Sequence, residues 1–140
     1  MERSELDNLK KVVTVIEKSL RMHVAWHENL VRWLICKRPL PDSVIDADAH
    51  KCCEFGKWFY GQANLHLHQL PMFRRIDDLH RLMHANTRDS CLKYRTMGMM
   101  TEDDYDNFLD SIANFRKELI SLKARAESTL NHTSVDLSDP

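Results

Sequence analysis

The stretch YDNFLDSIANFRKELISLKARA, residues 105–126, decides the fold class. Its apolar side chains recur at alternating spacings of three and four, at Tyr105, Phe108, Ile112, Phe115, Leu119, Leu122 and Ala126. This spacing keeps them on one side of an α-helix and is typical of a helix packed in a bundle. Thr101 precedes the stretch as an N-cap, followed by three carboxylates at the positive end of the helix dipole. The stretch therefore predicts a long amphipathic helix.

Helical spacing also governs the rest of the chain. A first helix is predicted from about Ser4 to Lys37, ahead of two prolines. A short helix is predicted over about 49–60, with Gly61 as its C-terminal cap, and another long helix from Pro71 to about Gly98. No segment has the polar and apolar alternation of a strand. We therefore expect an all-α four-helix bundle of three long helices and one short helix.

Composition is that of an ordinary globular domain. The 140 residues are 43% hydrophobic and 29% charged, with a net charge of -1, so neither disorder nor nucleic-acid binding is expected. The charged start and the lack of a long apolar run predict a cytoplasmic protein without a membrane partner. We expect residues 1–130 to form one domain and the polar residues 131–140 to form a linker toward a further domain.

Eight histidines and four cysteines point to a bound metal. In a reducing compartment these cysteines are expected to be thiols or metal ligands. His80 and His84 are four residues apart, so both imidazoles lie on one helix face and can reach one ion. This pair alone is a weak motif. No glutamate lies between the two histidines, which excludes the motif of the helical zinc proteases.

The other ligands stay ambiguous from spacing alone. His23 lies in the apolar stripe of the first helix, and His27 is a rival one turn later. Cys53 begins the string CEFGKW, residues 53–58, whose glycine allows close approach of a neighbouring helix. Cys52 is a rival that would point about 100° away on a helix. An ordinary core role is open to each of them.

The order of three motifs resembles a known family, the chemoreceptor zinc-binding (CZB) domain. The motifs are HVAW at 23–26, CEFGKW at 53–58 and HRLMH at 80–84, and the resemblance covers about residues 8–130. It implies that one Zn²⁺ is bound by three histidines and one cysteine, namely His23, Cys53, His80 and His84. Four protein ligands leave no open position for catalysis at the metal. Asp77, one turn before His80, is a candidate acceptor for that imidazole's second N–H, or else a solvated carboxylate.

Order and spacing also match the N-terminal zinc-sensing domain of an enterobacterial diguanylate cyclase. Asp139-Pro140 is similar to the start of the sequence that opens a GGDEF cyclase domain. The resemblance therefore implies a non-enzymatic, homodimeric regulatory domain whose bound zinc inhibits an attached GGDEF cyclase that makes cyclic di-GMP. The alternatives are a chemoreceptor domain that tunes chemotaxis, a redox sensor based on Cys53, and a purely structural zinc.

Overall fold

The computed structural model describes residues 3–138, of which 63, 66 and 133–138 are described by their backbone alone. Within that range the long helices are α1 (Arg3–Ile35), α5 (Pro71–Met97) and α6 (Glu102–Ser138). The connection from α1 to α5 contains α2 (Asp42–Ile45), α3 (Ala49–Cys52), α4 (Glu54–Phe59) and a 3₁₀ helix (Gln62–Gln69). None of the described residues forms a β-strand. The prediction of an all-α bundle with three long helices is confirmed.

The helices α5 and α6 form an antiparallel pair. The start of α5 meets the later part of α6, where Arg75 Nε donates to Glu118 Oε1 at 2.7 Å. The end of α5 meets the start of α6, where the Ser90 hydroxyl donates to the Asp104 carbonyl at 3.3 Å. Between the two helices, Gly98 adopts a φ of 73°, which a residue with a side chain rarely adopts. The predicted end of this helix at Gly98 is therefore correct.

The helix α1 also runs antiparallel to α6, and so parallel to α5. Lys123 lies 3.5 Å from Glu17, and the Tyr94 hydroxyl donates to the Leu34 carbonyl at 3.3 Å. The predicted apolar stripe of α6 faces these two helices, and its buried members are Phe108, Ile112, Phe115, Leu119, Leu122 and Ala126. Tyr105, at the start of the stripe, is 38% exposed. From Phe108 onward the stripe is thus buried in the core of this chain.

The short helix differs from the prediction. It is split in two at Cys53, whose backbone is extended with φ -73° and ψ 161°. The reason is local, because the Cys53 sulfur caps α4 by accepting the Gly56 N–H at 3.3 Å. The C-cap of α4 is Tyr60, and Gly61, with a φ of -66°, is the N-cap of the 3₁₀ helix, so the predicted role of Gly61 as the C-terminal cap is wrong.

The helix α6 continues beyond residue 130, where the regular pattern was expected to stop. Its backbone stays helical to Ser138, because intrahelical hydrogen bonds satisfy the peptide groups even where the side chains are polar. The domain boundary at residue 130 stays a prediction, and the Asp139-Pro140 similarity lies outside the described residues. Among the described helices, none is long and apolar enough to cross a bilayer.

Candidate metal centre

His23 is held in one tautomer by the helix that carries it. It lies on the buried face of α1 and is only 5% exposed. Its Nδ1 lies 2.7 Å from the Ser19 carbonyl oxygen, which can only accept, so Nδ1 carries the proton and donates it. The lone pair is then on Nε2, which is buried and has no hydrogen-bond partner among the described residues. A buried, unsatisfied imidazole nitrogen with this tautomer is what a metal ligand requires.

His80 and His84 place two more nitrogens at the same level of the bundle. They lie on successive turns of α5, and their Nε2 atoms are 3.2 Å apart. His80 is fully buried and His84 is 7% exposed. The ring of His80 is also 5.7 Å, centroid to centroid, from the ring of His23. Because α1 and α5 run parallel to each other against α6, their inward side chains meet and the three imidazoles come together.

Cys53 reaches the histidines from the break between α3 and α4. Its sulfur lies 3.2 Å from Nε2 of His80. Because the extended backbone at this residue turns the side chain back over the first turn of α4, the same sulfur also receives the Gly56 N–H. The helix break, which periodicity did not predict, is what aims the thiol at α5.

The ligand atoms of His23, Cys53, His80 and His84 all lie within 4.8 Å of one another. Zinc–nitrogen and zinc–sulfur bond lengths in a tetrahedron place neighbouring ligand atoms about 3.3–3.7 Å apart. The separations of 3.2 Å from His80 Nε2 to the Cys53 sulfur and to His84 Nε2 are already close to these values, so small shifts of the side chains would give four-coordinate geometry. Three imidazoles and one thiolate suit Zn²⁺, whereas Mg²⁺ and Ca²⁺ prefer oxygen. The residues present fit a zinc ion.

The rival residues lie outside this cluster. The His27 ring packs against Phe108, with 5.4 Å between centroids, and Cys52 is exposed at the end of α3. The structure thus brings together the same four residues that the resemblance implied. Their role as zinc ligands stays a prediction until metal binding is measured.

The suggested role of Asp77 is wrong. Its carboxylate accepts a hydrogen bond from the Tyr60 hydroxyl and another, at 3.2 Å, from Arg81 Nε. The Nδ1 atom of His80 has no partner within the described part of the chain. Asp77 therefore ties the end of α4 to α5 on the outside of the cluster. No spacing rule could reveal this, because Tyr60 is 17 residues away in sequence.

Two phenylalanines pack against the histidines of the cluster. The Phe55 ring lies 4.8 Å from the His80 ring, and the Phe115 ring lies 5.0 Å from the rings of both His23 and His80. Phe115 belongs to the predicted stripe of α6, so its burial was foreseeable. Its position at the level of the histidines was not, since that depends on how far α6 slides along α1 and α5.

Burial sets the protonation of the cluster. It lowers the pKa of His23, lowers that of His84 to about 3, and, with the neighbouring imidazoles, holds that of His80 well below its usual value. The histidines are therefore neutral near pH 7, which is the form that binds metal. Burial also raises the pKa of the Cys53 thiol, although N–H groups at the start of α4 oppose the shift. Without metal, Cys53 keeps its proton.

These shifts predict how zinc affinity depends on pH. Each ion bound near neutral pH must displace one proton, from Cys53, because the histidines have none to release. We expect the zinc Kd to fall about tenfold for each pH unit between roughly pH 7 and 8.5. Competition titrations at several pH values measure this slope. Cys53→Ala should remove the dependence, and a native slope of two protons would contradict the neutral state of the histidines.

The fold and the cluster define a helical zinc-binding domain. Residues 23–90 match the family model described as the chemoreceptor zinc-binding domain, CZB. This match confirms the family resemblance that the three motifs indicated. The chain is also similar to a solved structure described as the regulatory CZB domain of DgcZ, with a TM-score of 0.74 and 19% sequence identity over 84% of this chain and 98% of that one. At this identity the likeness establishes a shared fold. No match was found among curated proteins.

Proposed function

We propose that this chain is a zinc-sensing regulatory domain, and that zinc bound to it inhibits a diguanylate cyclase attached to it. The proposed ligands are His23, Cys53, His80 and His84. The observation that carries the proposal is the convergence of these four donors from three separate parts of the chain. DgcZ, whose regulatory CZB domain has the same fold, supports the cyclase as the regulated activity.

A bound ion satisfies the bonding requirements of the four ligand side chains. Zinc supplies four bonds that join α1, the junction of α3 and α4, and α5. Without zinc, the Cys53 thiol carries a proton. The buried imidazole nitrogens of the cluster then lack enough hydrogen-bond donors. Such a cluster favours looser packing of the three segments, because each unsatisfied buried group destabilises the closed arrangement. Metal occupancy can therefore select between two packings of the bundle.

The helix α6 offers a route from the cluster toward the C-terminal side of the chain. It contributes no ligand, yet Phe115 lies against the rings of His23 and His80. A change in the position of those imidazoles must be accommodated by this phenylalanine, since close-packed cores do not deform freely. Movement of α6 would then alter how two attached cyclase domains meet.

Two further features belong to the same proposal. Cyclic di-GMP is made from two GTP molecules, and this requires two cyclase domains to approach each other, so the domain is proposed to act as a homodimer. The proposed location is the cytoplasm, where GTP and thiols in the reduced state are available. A GGDEF cyclase domain is proposed to follow the chain, past the helical end of α6.

The test uses the protein encoded by the whole gene. Cyclic di-GMP formation from GTP is measured with added zinc and with a chelator. We expect zinc to lower the rate at least tenfold, or about 1.4 kcal/mol. Cys53→Ala should abolish this response, while Cys52→Ala serves as a matched control that keeps it. If the gene encodes a methyl-accepting coiled coil in place of the cyclase, the protein is a chemoreceptor instead. If the domain unfolds when zinc is removed, the metal has only a structural role.

A further inference from the structure

A cavity of about 240 Å³ lies beside the four-residue cluster. Three members of the cluster line it: His23, Cys53 and His84. Its outer edge includes Met22, Cys52 and Glu54. Because Met22 is 41% exposed and Cys52 is also exposed, the cavity reaches the surface of the bundle. It therefore connects solvent with the donor atoms.

The part of the cluster that holds His80 is closed. His80 is fully buried and does not line the cavity. Its ring is covered by Phe115, at a centroid distance of 5.0 Å, and by Phe55, at 4.8 Å, which is itself one of the residues that line the cavity. Hydrated ions cannot pass through a packed aromatic core. The cavity is thus an approach that leads from solvent to three of the four ligand residues.

Two side chains at the mouth of this cavity are themselves of zinc-binding type. Cys52 ends α3 and Glu54 begins α4, so the break at Cys53 sets both at the edge of the cavity. The Glu54 side chain is 47% exposed, and it forms two long ion pairs, at 4.0 Å with Lys18 and at 3.9 Å with Lys57. Ion pairs this exposed contribute little, so the carboxylate is free to exchange partners. Thiolate and carboxylate are both common zinc ligands.

We propose that Cys52 and Glu54 act as transient ligands that carry Zn²⁺ between solvent and the four-residue cluster. The proposal rests on the ligand set proposed above. A four-coordinate ion exchanges slowly when each bond must break before another forms, and a further donor that lines the same cavity lets ligands be replaced one at a time. Cys52 loses its thiol proton to solvent when it takes the ion, and regains one when the ion moves on. Neither residue remains bound, so the final affinity does not depend on them.

The experiment compares exchange rates with equilibrium affinity. Zinc uptake by the metal-free 140-residue protein, and zinc transfer from the loaded protein to the colorimetric chelator 4-(2-pyridylazo)resorcinol, are followed by stopped flow. For Cys52→Ala/Glu54→Gln we expect both rates to fall about tenfold and Kd to stay within about twofold, since a barrier raised by about 1.4 kcal/mol slows both directions equally. Cys52→Asp with native Glu54 restores a ligand and should exchange at nearly the native rate.

A matched control removes the same groups elsewhere. Cys36 and Glu28 are exposed and do not line the cavity, so Cys36→Ala/Glu28→Gln should leave both rates unchanged. Faster exchange in Cys52→Ala/Glu54→Gln would mean that these side chains only obstruct the cavity, and unchanged rates would mean another route. A Kd weakened more than tenfold would make Cys52 or Glu54 a resident ligand. Each of these results would overturn only the proposed role of Cys52 and Glu54 as transient ligands. Unaltered zinc binding in Cys53→Ala would instead overturn the proposed ligand set.

Discussion

Cys53→Ala is expected to weaken zinc binding by about 100-fold or more. A four-ligand zinc site contributes roughly 10–16 kcal/mol, or about 3 kcal/mol for each ligand, which corresponds to a factor near 100. The loss at this position should be among the largest, because the Cys53 sulfur is 3.2 Å from His80 Nε2 and alanine offers no donor in its place. The exposed neighbour provides the control: Cys52→Ala should change Kd by no more than about twofold.

Zinc content after purification and competition with a chelator of known affinity measure this difference. A second matched pair comes from α1, where His23 lies in the cluster and His27 packs against Phe108. His23→Ala should weaken binding about as much as the Cys53 variant does, and His27→Ala should leave it near the native value. Equal effects of Cys52→Ala and Cys53→Ala would contradict the assignment, as would a stronger loss from His27→Ala than from His23→Ala.

Gly56→Ala is expected to destabilise the domain by about 3 kcal/mol and to weaken zinc binding at least tenfold. Helix propensity alone would favour alanine by about 0.5–1 kcal/mol, but packing at this site outweighs it. A Cβ placed on Gly56 would lie 1.9 Å from the carbonyl oxygen of His50 and 2.9 Å from its carbonyl carbon. These are backbone atoms, so α3 and α4 must move apart. Cys53 lies at their junction and would move with them.

Urea unfolding of the zinc-loaded protein and the zinc Kd test this together. Gly98→Ala is the control, because Gly98 has a φ of 73° but open space around its Cβ position, at the far end of α5. It should cost about 1 kcal/mol through backbone strain, with zinc affinity unchanged. If Gly56→Ala were as stable as the native protein, the close approach of α3 and α4 would not be maintained in solution. A loss of stability without a change in the zinc Kd would show that the packing at Gly56 does not set the position of Cys53.

Features that depend on neighbouring residues were predictable from the sequence. The stripe on α6 was found because burial on a helix repeats every three to four residues. His80 and His84 were recognised as a pair because four residues make about one turn, and Gly98 was recognised as a helix end because it tolerates a left-handed backbone. Each of these signals is contained in a few consecutive residues, so no knowledge of the tertiary structure was needed.

Features that depend on distant residues were not predictable in the same way. Spacing left His23 and His27 equal, and the family resemblance, not periodicity, favoured His23. The contact of Asp77 with Tyr60, and the position of Phe115 against the imidazoles, link segments that are far apart in sequence. The break at Cys53 is local, yet it also escaped prediction, since a sulfur acting as a helix cap leaves no signal in the helical period.

The sequence by itself therefore determined an all-helical bundle, its long helices and one histidine pair of the candidate site. Only the tertiary structure decided which donors meet, which of them face the cavity, and that Cys52 and Glu54 stand at its mouth. The physical reason is that the helical period fixes the direction of each side chain around its own helix. The axial position of α1 and α5 along α6 is fixed by the packing of the whole core. A shift of α1 by one turn would place His27 in the cluster instead of His23.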